Sequence, residues 1–113
     1  MRINKELSKG SNALMVLSVI ARQDMYGYQI VKTIENASED VFVLNEGTLY
    51  PILHALEQNG LLDAYWCEVD GRRRKYYRIT EKGRKELARR RAEWDVFSGA
   101  VAKVLGSAEL AQG

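Results

Sequence analysis

The chain contains one cysteine, one proline and one histidine in 113 residues. Each scarcity excludes something. A lone Cys67 makes no internal disulfide and no multi-cysteine zinc site, which fits a reducing compartment, the cytoplasm. A lone His54, without a neighbouring cluster of ligating side chains, gives no metal centre and no partnered general base. A single proline leaves no material for a long Pro-rich spacer. Long hydrophobic runs are missing as well. The apolar stretch Ala13 to Ala21 is far shorter than the ~20 residues that cross a bilayer. Arg2, Lys5 and Lys9 precede it as in a secretory signal. Against that, Glu6 interrupts the basic segment, no small-x-small cleavage site follows, and the apolar periodicity runs on. No nucleophile–base pair, metal-ligand spacing or phosphate-binding glycine loop is present, so the sequence does not read as an enzyme and calls for no cofactor.

What is there is a single domain's worth of chain with one modest core, and a strongly uneven charge. The net charge is only +2. Between Gly71 and Arg91, however, eleven basic residues face only Glu81 and Glu86, a local charge of +9 that leaves −7 for the rest. A basic block on an acidic domain suggests one surface turned to a polyanion.

Periodicity divides the chain into five elements. Leu7, Ala13, Leu14, Leu17, Ile20 and Ala21 predict a first helix from Lys5 to Arg22. Ile30, Val31 and Ile34 line a second, from Tyr26 to about Ala37, ended by Ser38 to Asp40. After an extended or irregular link, Asn45 is the natural N-cap of a third helix to Asn59, with Leu49, Ile52, Leu53 and Leu56 inward. Pro51 is tolerable there if Thr48 is the cap; if the helix starts at Glu46, it should kink. Asn59-Gly60 is a helix stop. Asp70-Gly71 is the favoured dipeptide of a two-residue hairpin turn. If those two residues are the loop, Glu68 faces Arg73, Asp63 faces Arg78, Tyr65 faces Tyr76, Leu62 faces Ile79 and Trp66 faces Lys75. These pairings favour one another, so a ribbon from Leu61 to Ile79 is expected. Trp66 is expected to pack on Lys75 or on the domain. Thr80 then caps a long helix to about Leu105.

Three short helices, a basic hairpin and a long helix make a mainly α, winged helix-turn-helix fold (α+β) with a long C-terminal dimerisation helix. The division expected is residues 1–79 for DNA binding, 80–105 for dimerisation and 106–113 as a frayed tail. The third helix would enter a major groove, presenting Asn45, Gly47, Thr48, Tyr50 and His54. Tyr28 and Tyr50 are candidates for phosphate contact. Arg72, Arg73, Arg74 and Lys75 at the hairpin tip would hold the backbone or a minor groove, and Arg72 and Arg74 are the best placed because Arg73 is drawn towards Glu68. On the last helix Leu87, Trp94, Phe97, Val101 and Val104 form a heptad-like seam. A helix of that length cannot bury the seam on so small a domain, so a homodimer is expected, and with it a palindromic operator in double-stranded DNA. A dimeric protein-interaction adaptor is the alternative reading, though it has no need of four consecutive cations. RNA binding lacks an aromatic stacking platform.

Four blocks carry a resemblance: Tyr26-Gly27-Tyr28-Gln29-Ile30, Gly47-Thr48-Leu49-Tyr50-Pro51, Leu56 to Leu62, and Gly71 to Thr80. In order and spacing they resemble the signature blocks of PadR-type transcriptional regulators, over about Leu14 to Trp94. The resemblance implies a dimeric repressor of a nearby operon, often for detoxification or efflux, released by a small molecule. The single C-terminal helix is similar to that of the short, LmrR-like multidrug sensors. That likeness implies a small aromatic effector stacked on Trp94, with Asn12, Phe97 and Ser98 nearby. Ser98 stands where that branch carries an acidic residue, which speaks against a cationic drug.

Overall fold

The computed structural model describes residues 10–112, with side chains for residues 10–106. The part of the first predicted helix from Lys5 to Lys9, Leu7 included, lies outside them. Gly10 and Ser11 form a turn, so the helix expected to run unbroken from Lys5 instead begins as α1 (Asn12–Ile20). A glycine followed by a cap-favouring serine breaks the helical pattern at that point. Val16, Leu17, Val19 and Ile20 of α1 are buried at the centre of the core.

The next segment differs from expectation. Met25 and Tyr26 form a short strand, β1 (Met25–Tyr26), ahead of α2 (Gly27–Ala37). The Tyr26 amide donates to Gln29 Oε1 at 3.2 Å, closing the N-terminus of α2. Ile30 and Ile34 face the core, and Ser38 ends the helix, its hydroxyl donating to Glu35 O and accepting from the Phe42 amide. Residues 41–45 have no regular structure.

Helix α3 (Glu46–Gln58) begins at Glu46, with Asn45 Oδ1 accepting from the Thr48 amide at 2.9 Å. Leu49, Leu53 and Leu56 are buried and Ile52 is half-buried. The helix stops where Asn59-Gly60 predicts. Gly60 takes φ +75°, the Leu61 amide donates to Leu56 O, and the Gly60 amide donates to Glu57 O. This is the Schellman arrangement, completed by the buried pair Leu56 and Leu61.

The ribbon is in the predicted register throughout. β2 (Leu62–Val69) and β3 (Arg72–Ile79) are antiparallel, from Leu62↔Ile79 to Val69↔Arg72. Asp70 at φ 52° and Gly71 at φ 76° form the turn without a bulge. β1 pairs with the free edge of β3, Met25↔Tyr77 and Tyr26↔Tyr76, giving a three-stranded sheet in the order β1-β3-β2. Leu62, Tyr77 and Ile79 close the core from the sheet side.

Thr80 caps the last helix, α4 (Glu81–Gln112), accepting from the Gly83 amide at 2.9 Å. Gly83 is obligatory for its position: a methyl there would overlap the Leu61 carbonyl and come within 2.7 Å of Ile79 Cγ1. α4 is a rod that packs on α1 near its start, and the described molecule is 61 Å in its longest dimension. It passes the expected end at Leu105, and helix continues through Gly106 to Gln112. One interior glycine costs a helix only about 1 kcal/mol, which Ala, Glu, Leu and Gln around it offset. No helix among the described residues is long and apolar enough to cross a membrane.

Candidate nucleic-acid interface

Helix α3 turns Leu49, Leu53 and Leu56 inward, so its opposite side is fixed by helical geometry. That outer side carries Gly47, Pro51, His54 and Gln58, all exposed. Of the residues expected here, Gly47 and His54 are in place. A side chain at Gly47 would meet only Asn45 Oδ1, at 3.3 Å, so the surface is open to close approach. Because α3 starts at Glu46, Pro51 lies inside it and supplies no amide to the Gly47 carbonyl. Asn45 is exposed but its side-chain oxygen is used in capping, and Thr48 is half-buried. Tyr50 projects to the flank. Its hydroxyl lies 3.0 Å from where a Cβ on Gly27 would stand, at the first turn of α2. Tyr28, exposed on that same turn, carries Lys32 Nζ 5.7 Å from its ring centre.

The wing is joined to this helix. Lys75 Nζ on β3 lies 3.7 Å from Glu57 Oε1 on α3, and 5.6 Å from the Tyr77 ring centre. Burial, then the Glu57 carboxylate, pushes the Tyr77 phenol up from its ordinary value. The wing and the helix therefore present one continuous surface. The strand alternation divides the wing's cations between two sides. Arg73 lies with Lys75 and Tyr77; Arg72 and Arg74 lie on the other side. Two expected contacts differ. Arg73 does not go to Glu68 but stacks on Trp66, 4.9 Å from the ring centre. Trp66 stands opposite Lys75 as expected, carries Arg73 as well, and stays 57% exposed. Arg74, expected to be free for DNA, sits 4.3 Å over Tyr26. Stacking keeps a guanidinium partly dry and so competes with a carboxylate in water.

The +9 block is also less free than its charge suggests. Lys82 Nζ donates to Asn59 O at 2.8 Å, at the C-terminus of α3. Arg84 donates to Ala21 O at 3.4 Å, at the C-terminus of α1. Both positions favour a cation on the helix dipole. Arg78 faces Asp63 at 3.8 Å. Arg89 and Arg90 both bind Glu86, at 2.9 and 2.7 Å, and their hydrogen bonds hold its carboxyl down at about 2. Several cations of the basic block thus have partners within the fold, although Arg78, Lys82, Arg84 and Arg89 remain exposed beside them.

A groove of about 500 Å³ runs between α1, the end of α2 and α4. Leu14, Met15, Val19, Phe42, Leu87 and Trp94 line it, with Arg22, Arg91 and Asp95 at its polar positions. Of the four residues expected around an effector, only Trp94 lines this groove. Phe97 lies next to Trp94, ring centres 6.0 Å apart, and Ser98 donates to Asp95 O. Asn12 shares the inward face of Val16, one turn on; it is 8% exposed and its Oδ1 has no hydrogen-bond partner among the described residues. The seam is open beyond the groove. Trp94, Phe97, Val101 and Val104 are exposed, and Leu105 extends them. Leu87, expected in the seam, packs instead on its own core.

Residues 16–89 match the model of the transcriptional regulator PadR-like family. The chain belongs to the PadR-like family of transcriptional regulators. PadR-family regulators bind DNA. Among relatives, the chain is similar to the transcriptional regulator Rv3488 of Mycobacterium tuberculosis, 35% identical over 74% of this chain and 75% of that protein. It is 28% identical to the Escherichia coli transcriptional regulator YqjI over 88% of its own length, and spans about half, 47%, of that protein. Among solved structures, a transcriptional regulator from Clostridium thermocellum is 34% identical with a TM-score of 0.81, over 87% of this chain and 96% of that one. A PadR family regulator from Eggerthella lenta is 36% identical with a TM-score of 0.78, over 88% and 86%.

On this PadR-like frame, Pro51 and Gln58 are surface positions of α3 that the sequence reading passed over, although steps of four, three and four from Gly47 point to them. The pairing of Arg73 with Trp66 had a weaker signal, the diagonal neighbourhood of residues 66 and 73 across the ribbon. The placement of Arg22 and Arg91 on one groove depends on how α4 crosses α1, which no local pattern encodes.

Proposed function

We propose that this PadR-family regulator is a homodimeric repressor that holds a palindromic operator through α3 and the wing. A small aromatic effector at Trp94 releases it, and its target is a neighbouring detoxification or efflux operon. The observation that carries the reading is the Lys75–Glu57 contact, by which a cation-tipped ribbon meets the flank of α3. An α-helix fits a major groove while the adjoining wing holds phosphates or a minor groove. In this reading residues 1–79 serve as the DNA-binding unit and residues 80–105 as the dimerisation rod. Its apolar seam, exposed among the described residues with Phe97 at 60% and Val104 at 75%, supports pairing with a second copy. The groove at Trp94 supports an effector that stacks on the indole, with Arg22, Arg91 and Asp95 as its charged neighbours.

Selection of bound fragments from genomic DNA tests this. The expected product is a palindrome with half-sites about one helical turn apart, lying beside an adjacent operon. An added flat aromatic effector should quench Trp94 and weaken operator binding together, because the two affinities are reciprocal. Enrichment of no fragment would favour the adaptor reading, in which the same rod only joins two copies.

A further inference from the structure

Strand alternation places three consecutive arginines of the wing in unequal positions. Arg73 shares a side of β3 with Lys75 and Tyr77, while Arg72 and Arg74 share the other. Lys75 meets Glu57 of α3 and Tyr77 is buried, so the side of Arg73 is the one continuous with α3. Arg74 turns back onto Tyr26. On the α3 side, Trp66 leaves more than half of its surface in water, 57%. The Arg73 guanidinium lies 4.9 Å from its ring centre, and Lys75 stands opposite it in the ribbon. An indole this exposed contributes little to the core. What it does is hold a guanidinium in place.

We infer that Arg73 and Trp66 act as one DNA-reading unit. The Arg73 guanidinium, presented on the indole, enters the minor groove beside the major groove that α3 occupies, and sets a preference for A·T-rich sequence there. The inference rests on the operator-binding reading above and names the wing residue that carries sequence information. A stacked guanidinium is already partly dehydrated and restricted in rotamer, so less is lost when it enters a groove. A·T-rich minor grooves are narrow and more negative, and attract arginine. A G·C pair adds the guanine 2-amino group to the groove floor and disfavours it. Lysine would keep the charge and lose the flat stack.

The test uses the intact chain and a duplex recovered from genomic DNA, prepared with A·T, G·C or inosine·C pairs under the wing. Inosine·C lacks the minor-groove amino group. The wild type is expected to bind the A·T and inosine·C duplexes about tenfold more tightly than the G·C duplex. Arg73→Ala should bind all three alike, with the slope of log affinity against log salt reduced by about one. Arg73→Lys and Trp66→Leu should keep that slope and lose the preference. Arg78→Ala removes a cation that already faces Asp63, and should keep both. Undiminished discrimination by Arg73→Ala, or none by the wild type on a duplex that it binds, overturns the inference and leaves operator binding standing. Failure of the wild type to recover any duplex overturns operator binding, and this inference with it.

Discussion

Lys82 Nζ donates to the main-chain carbonyl of Asn59 at 2.8 Å, so the first turn of α4 closes the last turn of α3. The bond satisfies an orphan carbonyl and places a cation at the negative end of the α3 dipole. Lys82→Met, which keeps the aliphatic stem, should lower stability by about 0.5–1 kcal/mol. Urea unfolding at low salt checks this, and the loss should shrink in concentrated salt. An equal loss at all salt concentrations would assign the effect to packing.

Two glycines of α4 should respond oppositely to the same change. At Gly83 a methyl overlaps the Leu61 carbonyl, so Gly83→Ala should destabilise by about 3 kcal/mol, the upper range of overpacking. At Gly99 a Cβ meets nothing within 4 Å, so Gly99→Ala should stabilise by about 0.5–1 kcal/mol through helix propensity. Thermal unfolding of the two variants side by side decides it; a neutral Gly83→Ala would mean that α4 can shift freely at its base.

Tyr65 Oη donates to Asp24 Oδ2 at 2.6 Å, and that bond, with burial second, pushes the phenol from 10.0 up to about 12. The folded state therefore favours the protonated phenol. Its contribution is full below pH 10 and is lost as pH rises through 12. Tyr65→Phe should cost about 1 kcal/mol at neutral pH, and should remove this part of the alkaline loss. Absorbance titration of the phenolates is the direct readout, and a Tyr65 that ionises with the exposed tyrosines would contradict the bond.

Phe97→Asp combined with Val101→Asp places two carboxylates on the exposed seam of α4, where neither parent side chain belongs to the buried core. The domain should stay folded and sediment as a monomer. Operator affinity should then fall by at least an order of magnitude, since two linked half-sites bind far better than one. A dimer persisting in sedimentation would move the interface elsewhere.

The ribbon was legible residue by residue because its information is local: Asp70-Gly71 fixes the turn, and opposed charges and tyrosines agree with one register. The stop at Gly60 and the cap at Thr80 were legible for the same reason. β1 was not. Two residues show no period, and Met25 and Tyr26 become a strand only by pairing with the edge of β3, some fifty residues away in sequence. The site divides likewise. Gly47 and His54 follow from the helical period, whereas the roles of the cations follow from tertiary neighbours. Arg74 on Tyr26, Arg84 on Ala21 and Lys82 on Asn59 are contacts between distant parts of the chain. Counting charge along the sequence could not tell which cation meets which partner.

The junction at the base of the rod has a mechanical consequence. Thr80 donates to both Leu61 O and Gly60 O, through its amide and its hydroxyl, and Gly83 fits against the same stretch with no room for a methyl. With no slack segment between ribbon and rod, a tilt of α4 at its far end must swing α3 and the wing as a lever swings its load. In the dimer proposed above, spreading or twisting the two rods would change the distance between the two α3 helices directly.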